Sequence, residues 1–251
     1  MGTAIHAFTC GYLTMPYASF LAGEEGVLTV PVPAYLVTHD KGWVLFDTGF
    51  NPRAADTASG YCDRLHHSNK VQVRPIELLN ARLEAAGFDP RRVTHLVNSH
   101  LHYDHAGGNQ LAPDIPVIVQ QRELNHARRK DPHAGYVAED YETGQCFTLI
   151  DGVYDIFGDG SIVCMPTFGH TPGHQSLRVT GDGGVAVLAG DACYLRRTLD
   201  HMHLPRFCHD RGQMRASLRA LQELQRRGAR ILYGHDPDFW HTVPQAPARV
   251  L

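Results

Sequence analysis

The stretch Ser99-His100-Leu101-His102-Tyr103-Asp104-His105-Ala106-Gly107-Gly108-Asn109 decides how this chain is read. It has the pattern H-x-H-x-D-H, with four metal-capable side chains within six residues, and follows the apolar run Val93-Thr94-His95-Leu96-Val97-Asn98. A β-strand running into a tight turn delivers this spacing, because the turn gathers on one side groups that a strand would alternate between its faces. Two histidines, and a third with an adjacent carboxylate, exceed what one ion needs. The pattern therefore points to two ions side by side, each completed by residues from elsewhere. A histidine-rich surface turn is the bland alternative, and the density of the run, followed by Gly-Gly, argues against it.

The chain has 251 residues, enough for one large α/β domain or two small ones. Hydrophobic content of 43% and charged content of 20% suit a packed core rather than disorder. Net charge is −3 and no basic stripe stands out, so nucleic acid is not expected as a partner. No apolar run approaches the ~20 residues of a membrane helix, so no membrane is expected either. The first residues lack the basic and apolar regions of a secretory signal. His6 stands where N-myristoylation wants Ser or Thr. Cys10, Cys62, Cys146, Cys164, Cys193 and Cys208 are scattered, with no C-x-x-C pair, which fits a reduced cytoplasmic protein. Histidine is the compositional outlier, at 17 residues, and much of the surplus is clustered.

Outside the opening stretch, strand and helix signals recur. Residues 5–13 and 27–37 contain strand-like segments, and Pro31 and Pro33 suit a strand edge or entry rather than a central strand. Gly42-Trp43-Val44-Leu45-Phe46 is a further strand, joined by a hairpin at His39-Asp40-Lys41-Gly42 and ending in Asp47-Thr48-Gly49. Residues 50–72 have little periodicity and read as a long loop, a feature that is often functional. Pro75 opens a helix on which Ile76, Leu79, Leu83 and Ala86 share a face, with Gly87 at its C-cap. Ile115-Pro116-Val117-Ile118-Val119 is a strand followed by a short polar helix, after which residues 131–148 are turn-rich. In the second half, Ser161-Ile162-Val163-Cys164-Met165 leads to Gly169-His170. Residues 177–180 and 185–188 flank a Gly181-Asp182-Gly183-Gly184 hairpin turn. A loop over 195–209 precedes a helix capped by Asp210, striped by Met214, Leu218, Leu221 and Leu224, and ended by Gly228. Arg230-Ile231-Leu232-Tyr233 is the last strand and runs into Gly234-His235. Two strand sets, each accompanied by helix, predict one domain over residues 1–251, with two packed sheets and outer helices. A split near residue 130 is the alternative.

Four apolar runs thus end in metal-capable residues: His100 onward, His170, Asp191 and His235. Together with Gly169-His170-Thr171-Pro172-Gly173-His174-Gln175-Ser176 and Asp47-Thr48-Gly49, this arrangement resembles the metallo-β-lactamase superfamily over roughly residues 30–240. The resemblance implies an α/β fold of the αββα sandwich type. Within the superfamily, Leu188-Ala189-Gly190-Asp191-Ala192-Cys193-Tyr194 and Gly234-His235-Asp236 are most similar to the N-acyl homoserine lactonases. That likeness implies a dinuclear lactonase that opens the ring ester of N-acyl homoserine lactones through a metal-bridging hydroxide. His100, His102 and His170 would bind one ion, Asp104, His105 and His235 the other, and Asp191 would bridge them. Such donors suit Zn²⁺, with Fe²⁺, Co²⁺ or Mn²⁺ also compatible. Tyr194 would donate to the oxyanion, since a phenol stays protonated at neutral pH. Asp104 would pass a proton to the leaving alkoxide.

Other expectations accompany these. Asp47 and His174 are candidates for orienting metal-binding imidazoles. Met15, Tyr17, Phe20, Leu21, Met202, Leu204 and Phe207 are candidates for an acyl slot, and His66, His67, His201, His203 and His209 for solvated surface. Cys193 and Tyr103 depart from the family pattern, which implies a small buried thiol and a packing variation. The partner is a small-molecule lactone, and a homodimer is compatible with the chain. The competing functions are another lactone, a thioester or a phosphodiester on the same scaffold, or a mononuclear iron dioxygenase using His100, His170 and Asp191.

Overall fold

The computed structural model describes residues 2–130 and 134–251. The first part of the expected turn-rich segment at 131–148 therefore lies outside the described residues. The first sheet has seven strands: β1 (Ala4–Pro16), β2 (Val27–His39), β3 (Gly42–Phe46), β4 (Lys70–Gln72), β5 (Val93–Val97), β6 (Val117–Gln120) and β7 (Phe147–Ile150). Their order is β4-β1-β2-β3-β5-β6-β7. The first four strands pair antiparallel, and β3, β5, β6 and β7 run parallel. The second sheet contains β8 (Tyr154–Asp155), β9 (Ile162–Pro166), β10 (Gln175–Gly181), β11 (Gly184–Leu188) and β12 (Arg230–Leu232). It is antiparallel except for the parallel β11–β12 pair.

The two sheets pack face to face because their strands are apolar on alternate residues. Tyr35, Val37, Val44, Phe46 and Val97 turn inward, where they meet Ile162, Cys164, Leu177 and Val179 of the second sheet. The residues between them, Ala34, Leu36, Trp43, Leu45 and Leu96, face out and are buried by Leu79 and Leu83 of α1 (Leu79–Ala85). A sheet buried on both faces reads as a nearly unbroken apolar run, as β2 and β3 do. Two short helices, α2 (Tyr103–Ala106) and α3 (Gln121–Ala127), follow β5 and β6, and α4 (Ala138–Tyr141) precedes β7. Beyond β11 come α5 (Arg196–His201) and α6 (Arg211–Arg226), and α7 (Pro237–Trp240) follows β12. Met214, Leu218 and Leu221 of α6 enter the core, and the Asp210 carboxylate caps its first turn through Gly212 and Gln213. The result is the αββα sandwich.

Several local expectations are corrected. β2 is an interior strand, although Pro31 and Pro33 suggested an edge. Both prolines lie before Tyr35, where β3 begins to pair, so this half of β2 has a neighbour only in β1. A missing N–H costs nothing on the unpaired side. Residues 50–72 are not a bare loop. They form 3-10 turns at Pro52–Ala55, Thr57–Ser59 and Cys62–Arg64, then β4. The first two are started by the Asn51 and Asp56 side chains, and units this short leave no periodicity to read. Phe50, Tyr61 and Leu65 anchor the segment in a cluster with Tyr103 and Tyr194. The helix expected from Pro75 is a 3-10 turn at Pro75–Glu77 followed by α1, broken where Leu78 turns extended (ψ 146°). Ile76 consequently leaves the stripe and is 62% exposed. Within 195–209, α5 stands where a loop was expected.

Leu177 is fully buried between the sheets. Leu177→Ala is expected to destabilise the fold by about 2–5 kcal/mol, read as a lower denaturant midpoint at unchanged slope. A change below about 0.5 kcal/mol, the range of ordinary surface substitutions, would contradict this account of the core.

Candidate metal centre

The centre lies where strand ends from both sheets meet. β5 ends at Val97, and the chain then passes through Asn98 and Ser99 to His100, His102 and the short α2 that carries Asp104 and His105. The Gly107-Gly108 pair closing the motif has a steric cause. A side-chain carbon at Gly107 would run into the Asn51 backbone N, and one at Gly108 into the Thr48 carbonyl. The second sheet supplies His170 from the β9–β10 loop, Asp191 from the turn after β11, and His235 from the end of β12.

Two sets of ligand atoms converge. In the first, His100 Nε2 and His102 Nδ1 are 2.9 Å apart, and each is 3.2 Å from His170 Nε2. In the second, His105 Nε2 lies 3.4 Å from His235 Nε2, and Asp104 Oδ2 lies 3.6 and 3.7 Å from these two nitrogens. Asp191 stands between the sets. Its Oδ2 is 3.3 Å from His170 and 3.7 Å from His100, while Oδ1 is 3.3 Å from His105 and 3.1 Å from His235. All seven residues expected from the sequence are thus brought together.

The donor set fits divalent cations. Ligands about 2.0–2.1 Å from a tetrahedral ion stand about 3.4 Å from one another, close to the spacing found here. Asp191 Oδ1 is buried with no hydrogen-bond partner, which leaves it free for such an ion. The far side of each ring is held as a ligand requires. Asp47 Oδ2 accepts from His105 Nδ1 at 2.8 Å, and the Pro31 carbonyl accepts from His235 Nδ1 at 2.8 Å. Both bonds place the proton on Nδ1 and the lone pair on Nε2, facing the centre. His100 Nδ1 lies 3.0 Å from Ser99 Oγ, and His170 Nδ1 lies 3.1 Å from the Tyr194 hydroxyl. Asp47 itself accepts from the Ser99 backbone N–H and hydroxyl, so it also holds the start of the motif.

Electrostatics separate the two sets. Burial, reinforced by neighbouring imidazoles, pushes His100 and His102 well below the usual histidine range, and burial lowers His170 to about 4. These three are neutral ligands at neutral pH. Burial also opposes charge on His105 and His235, but the Asp191 carboxylate and its neighbours outweigh it and raise both. Burial disfavours the Asp191 carboxylate too, yet His105, His235 and His170 hold it well below the usual range.

A cavity of about 730 Å³ opens over the two sets, with His102, Asp104, His170, Asp191, Tyr194 and His235 in its wall. The Tyr194 ring packs edge-on against Phe20. Of the expected slot residues, Met15, Phe20 and Phe207 line the cavity, whereas Leu21 and Leu204 are in the core. His66 and His209 are exposed as expected, and they also border the cavity. His203 is tied to the Ala22 carbonyl at 2.6 Å. His174 Nδ1 pairs with Thr167 and its Nε2 has no hydrogen-bond partner, so it meets the ligands through ring contacts alone, with His100 at 5.2 Å and His170 at 5.9 Å between centroids. Cys193 is a buried thiol bonded to the Leu195 carbonyl. Tyr103 is more than packing, since its hydroxyl accepts from Asn69 on the cavity wall. The roles of Ser99 and of the Pro31 carbonyl left no sequence signal, because one is a common turn residue and the other acts through its backbone.

The description "Metallo-beta-lactamase superfamily" fits residues 28–235. The chain belongs to that superfamily, and its relatives place it in the branch of the N-acyl homoserine lactonases. It is 36% identical over 237 residues to the N-acyl homoserine lactonase AttM of Azorhizobium caulinodans, covering 90% of this chain and 89% of that one. It is 29% identical over 215 residues to the N-acyl homoserine lactonase AiiA of Bacillus thuringiensis subsp. kurstaki, covering 84% and 83%. In fold it matches an N-acyl homoserine lactone hydrolase solved with N-hexanoyl-L-homoserine at its catalytic metal center. The TM-score there is 0.87, over 98% of each chain at 24% identity.

Elemental analysis of the purified protein is expected to give two ions per chain, and of Asp191→Ala fewer than one. Two ions retained in Asp191→Ala would show that Asp191 is not shared between the sets.

Proposed function

We infer that this protein is a metal-dependent hydrolase that opens the ring ester of N-acyl homoserine lactones. One observation carries the reading: Asp191 divides its two oxygens between two complete ligand sets, at the wall of a cavity that also presents the Tyr194 hydroxyl. By the spacing above, His100, His102 and His170 would hold one ion and Asp104, His105 and His235 the other, with Asp191 common to both. When bound, the two cations supply Lewis-acid polarisation of a carbonyl and an activated water. Imidazole and carboxylate donors suit Zn²⁺, and Fe²⁺, Co²⁺ or Mn²⁺ fit the same donors. The second set favours this reading over a single-iron oxygenase, which would leave Asp104, His105 and His235 without a task.

The chain's own groups perform the rest. With its Nε2 lone pair turned to the centre, His170 donates from Nδ1 to the Tyr194 oxygen, so the phenol keeps its own hydrogen to give. Burial, with Asp191 and Asp104 nearby, raises Tyr194 well above the usual phenol range, so it stays a donor at neutral pH. Tyr194 therefore stabilises the oxyanion of the opening ring. Asp104 is buried in the same wall, and the reading gives it the passing of a proton to the leaving alkoxide. A cavity of about 730 Å³ has the size of ordinary small-molecule sites. In a bacterium, such a reaction would remove a quorum-sensing signal. The reading takes residues 1–251 as one hydrolase domain in the cytoplasm, supported by the shared apolar core and six unpaired cysteines. Among the described residues, no helix is long and apolar enough to cross a membrane.

The metal-loaded protein is expected to open lactones carrying acyl chains of several lengths, followed by proton release. Failure on every lactone would refute the assignment. Tyr194→Phe should lower kcat about 10²-fold with metal content intact. Loss of metal in that variant would mean that Tyr194 supports the ligands instead.

A further inference from the structure

Glu123 is fully buried in the first turn of α3, outside the cavity, and has no place in the chemistry above. Its carboxylate is nevertheless a meeting point for three separate segments. Oε1 accepts from the Leu101 backbone N–H at 3.2 Å and from the Tyr136 hydroxyl at 2.9 Å. Oε2 accepts from the Gly173 backbone N–H at 3.0 Å. Leu101 lies between His100 and His102, and Gly173 lies in the loop that carries His170. The Tyr136 ring packs edge-on against His102, with centroids 4.6 Å apart. The contact at Gly173 is so close that a side-chain carbon there would strike the Glu123 backbone N.

We propose that Glu123 is a positioning residue that sets the separation of the two loops bearing His100/His102 and His170, and so builds the first ion site. The inference rests on the two-ion reading above. Burying a carboxylate is costly unless hydrogen bonds satisfy it. Three donors from three segments do so here, and breaking the arrangement would leave a charge unpaired inside the protein. The two ligand-bearing segments already meet where the Gln175 N–H reaches the Ser99 carbonyl, and Glu123 extends that contact to the residues beside the ligands. The second set has separate supports, in Asp47 behind His105 and the Pro31 carbonyl behind His235. The two sites should therefore respond differently to the loss of Glu123.

Glu123→Gln is the discriminating variant. A carboxylate accepts at both oxygens, whereas a glutamine that keeps its oxygen toward Leu101 and Tyr136 turns an NH₂ toward the Gly173 N–H. The donor–donor clash falls on the His170 loop. The test uses the full chain loaded with ¹¹³Cd²⁺ and labelled with ¹⁵N-histidine. The two cadmium resonances are told apart by coupling to three histidines at the first site and two at the second. Glu123→Gln is expected to weaken the first site about 10–100-fold in a chelator titration, with its resonance losing one histidine coupling. The second site should be unchanged. Equal weakening at both sites, or none at either, would overturn the proposal. Were Glu123→Gln not to fold, Tyr136→Phe would carry the test, since it removes one donor and keeps the ring. Selective weakening of the first site there supports the role, and no change refutes it. Fewer than two ions in the wild type would sink the two-ion reading and this inference together. Two ions there with no selective loss in the variants would sink this inference alone.

Discussion

Five imidazoles and two carboxylates are packed so tightly that their lone pairs point at one another. Without a cation between them, the nitrogens at 2.9 to 3.4 Å in each set would face lone pair to lone pair or compete for a proton. His100, Asp104, His105, Asp191 and His235 are buried, and His102 and His170 are partly exposed toward the cavity. The arrangement is stable only if positive charge sits among the ligands, and most other features of the molecule serve that requirement. Ligands come from both sheets: His100 to His105 follow the first, and His170, Asp191 and His235 belong to the second. Bound ions would tie the sandwich together across its open end, and mass action makes the fold's stability rise with their concentration.

The structure around the centre converts backbone oddities into ligand geometry. Pro31 and Pro33 leave one side of β2 without N–H donors, and the carbonyl exposed on that side fixes His235. Asp47 takes a left-handed backbone conformation (φ 58°), uncommon for a residue with a side chain. The cost is offset by three hydrogen bonds from Ser99 and His105 to its carboxylate. One irregularity lies within β2 and the other just after β3, and each supplies the group that aims a ligand ring.

The centre was legible in the sequence because its chemistry is concentrated. Four ligands lie within six residues, and the other three each follow an apolar run and a glycine. The sandwich was legible because strands buried on both faces are apolar throughout. What was hidden has two sources. Short 3-10 turns between residues 50 and 72 carry no period, and two of the three are started by single side-chain caps. Supports such as Glu123, reaching Gly173, and the Pro31 carbonyl, reaching His235, act across long separations in the chain, where no spacing rule applies. Pro31 misled for a specific reason: β3 is shorter than β2, so one strand is interior along half its length and an edge along the other.

The chain's last residues return to its first strand. Gln245 bridges Ala7, the Val250 N–H reaches the Ile5 carbonyl, and His6 Nδ1 lies 3.1 Å from the Pro247 carbonyl. This stretch of β1 lies beyond the reach of β4, which pairs only with residues 12–14. The tail therefore shields an open sheet margin that would otherwise template pairing between molecules. Removing residues 245–250 would therefore bare a sheet margin built by residues that do not line the cavity.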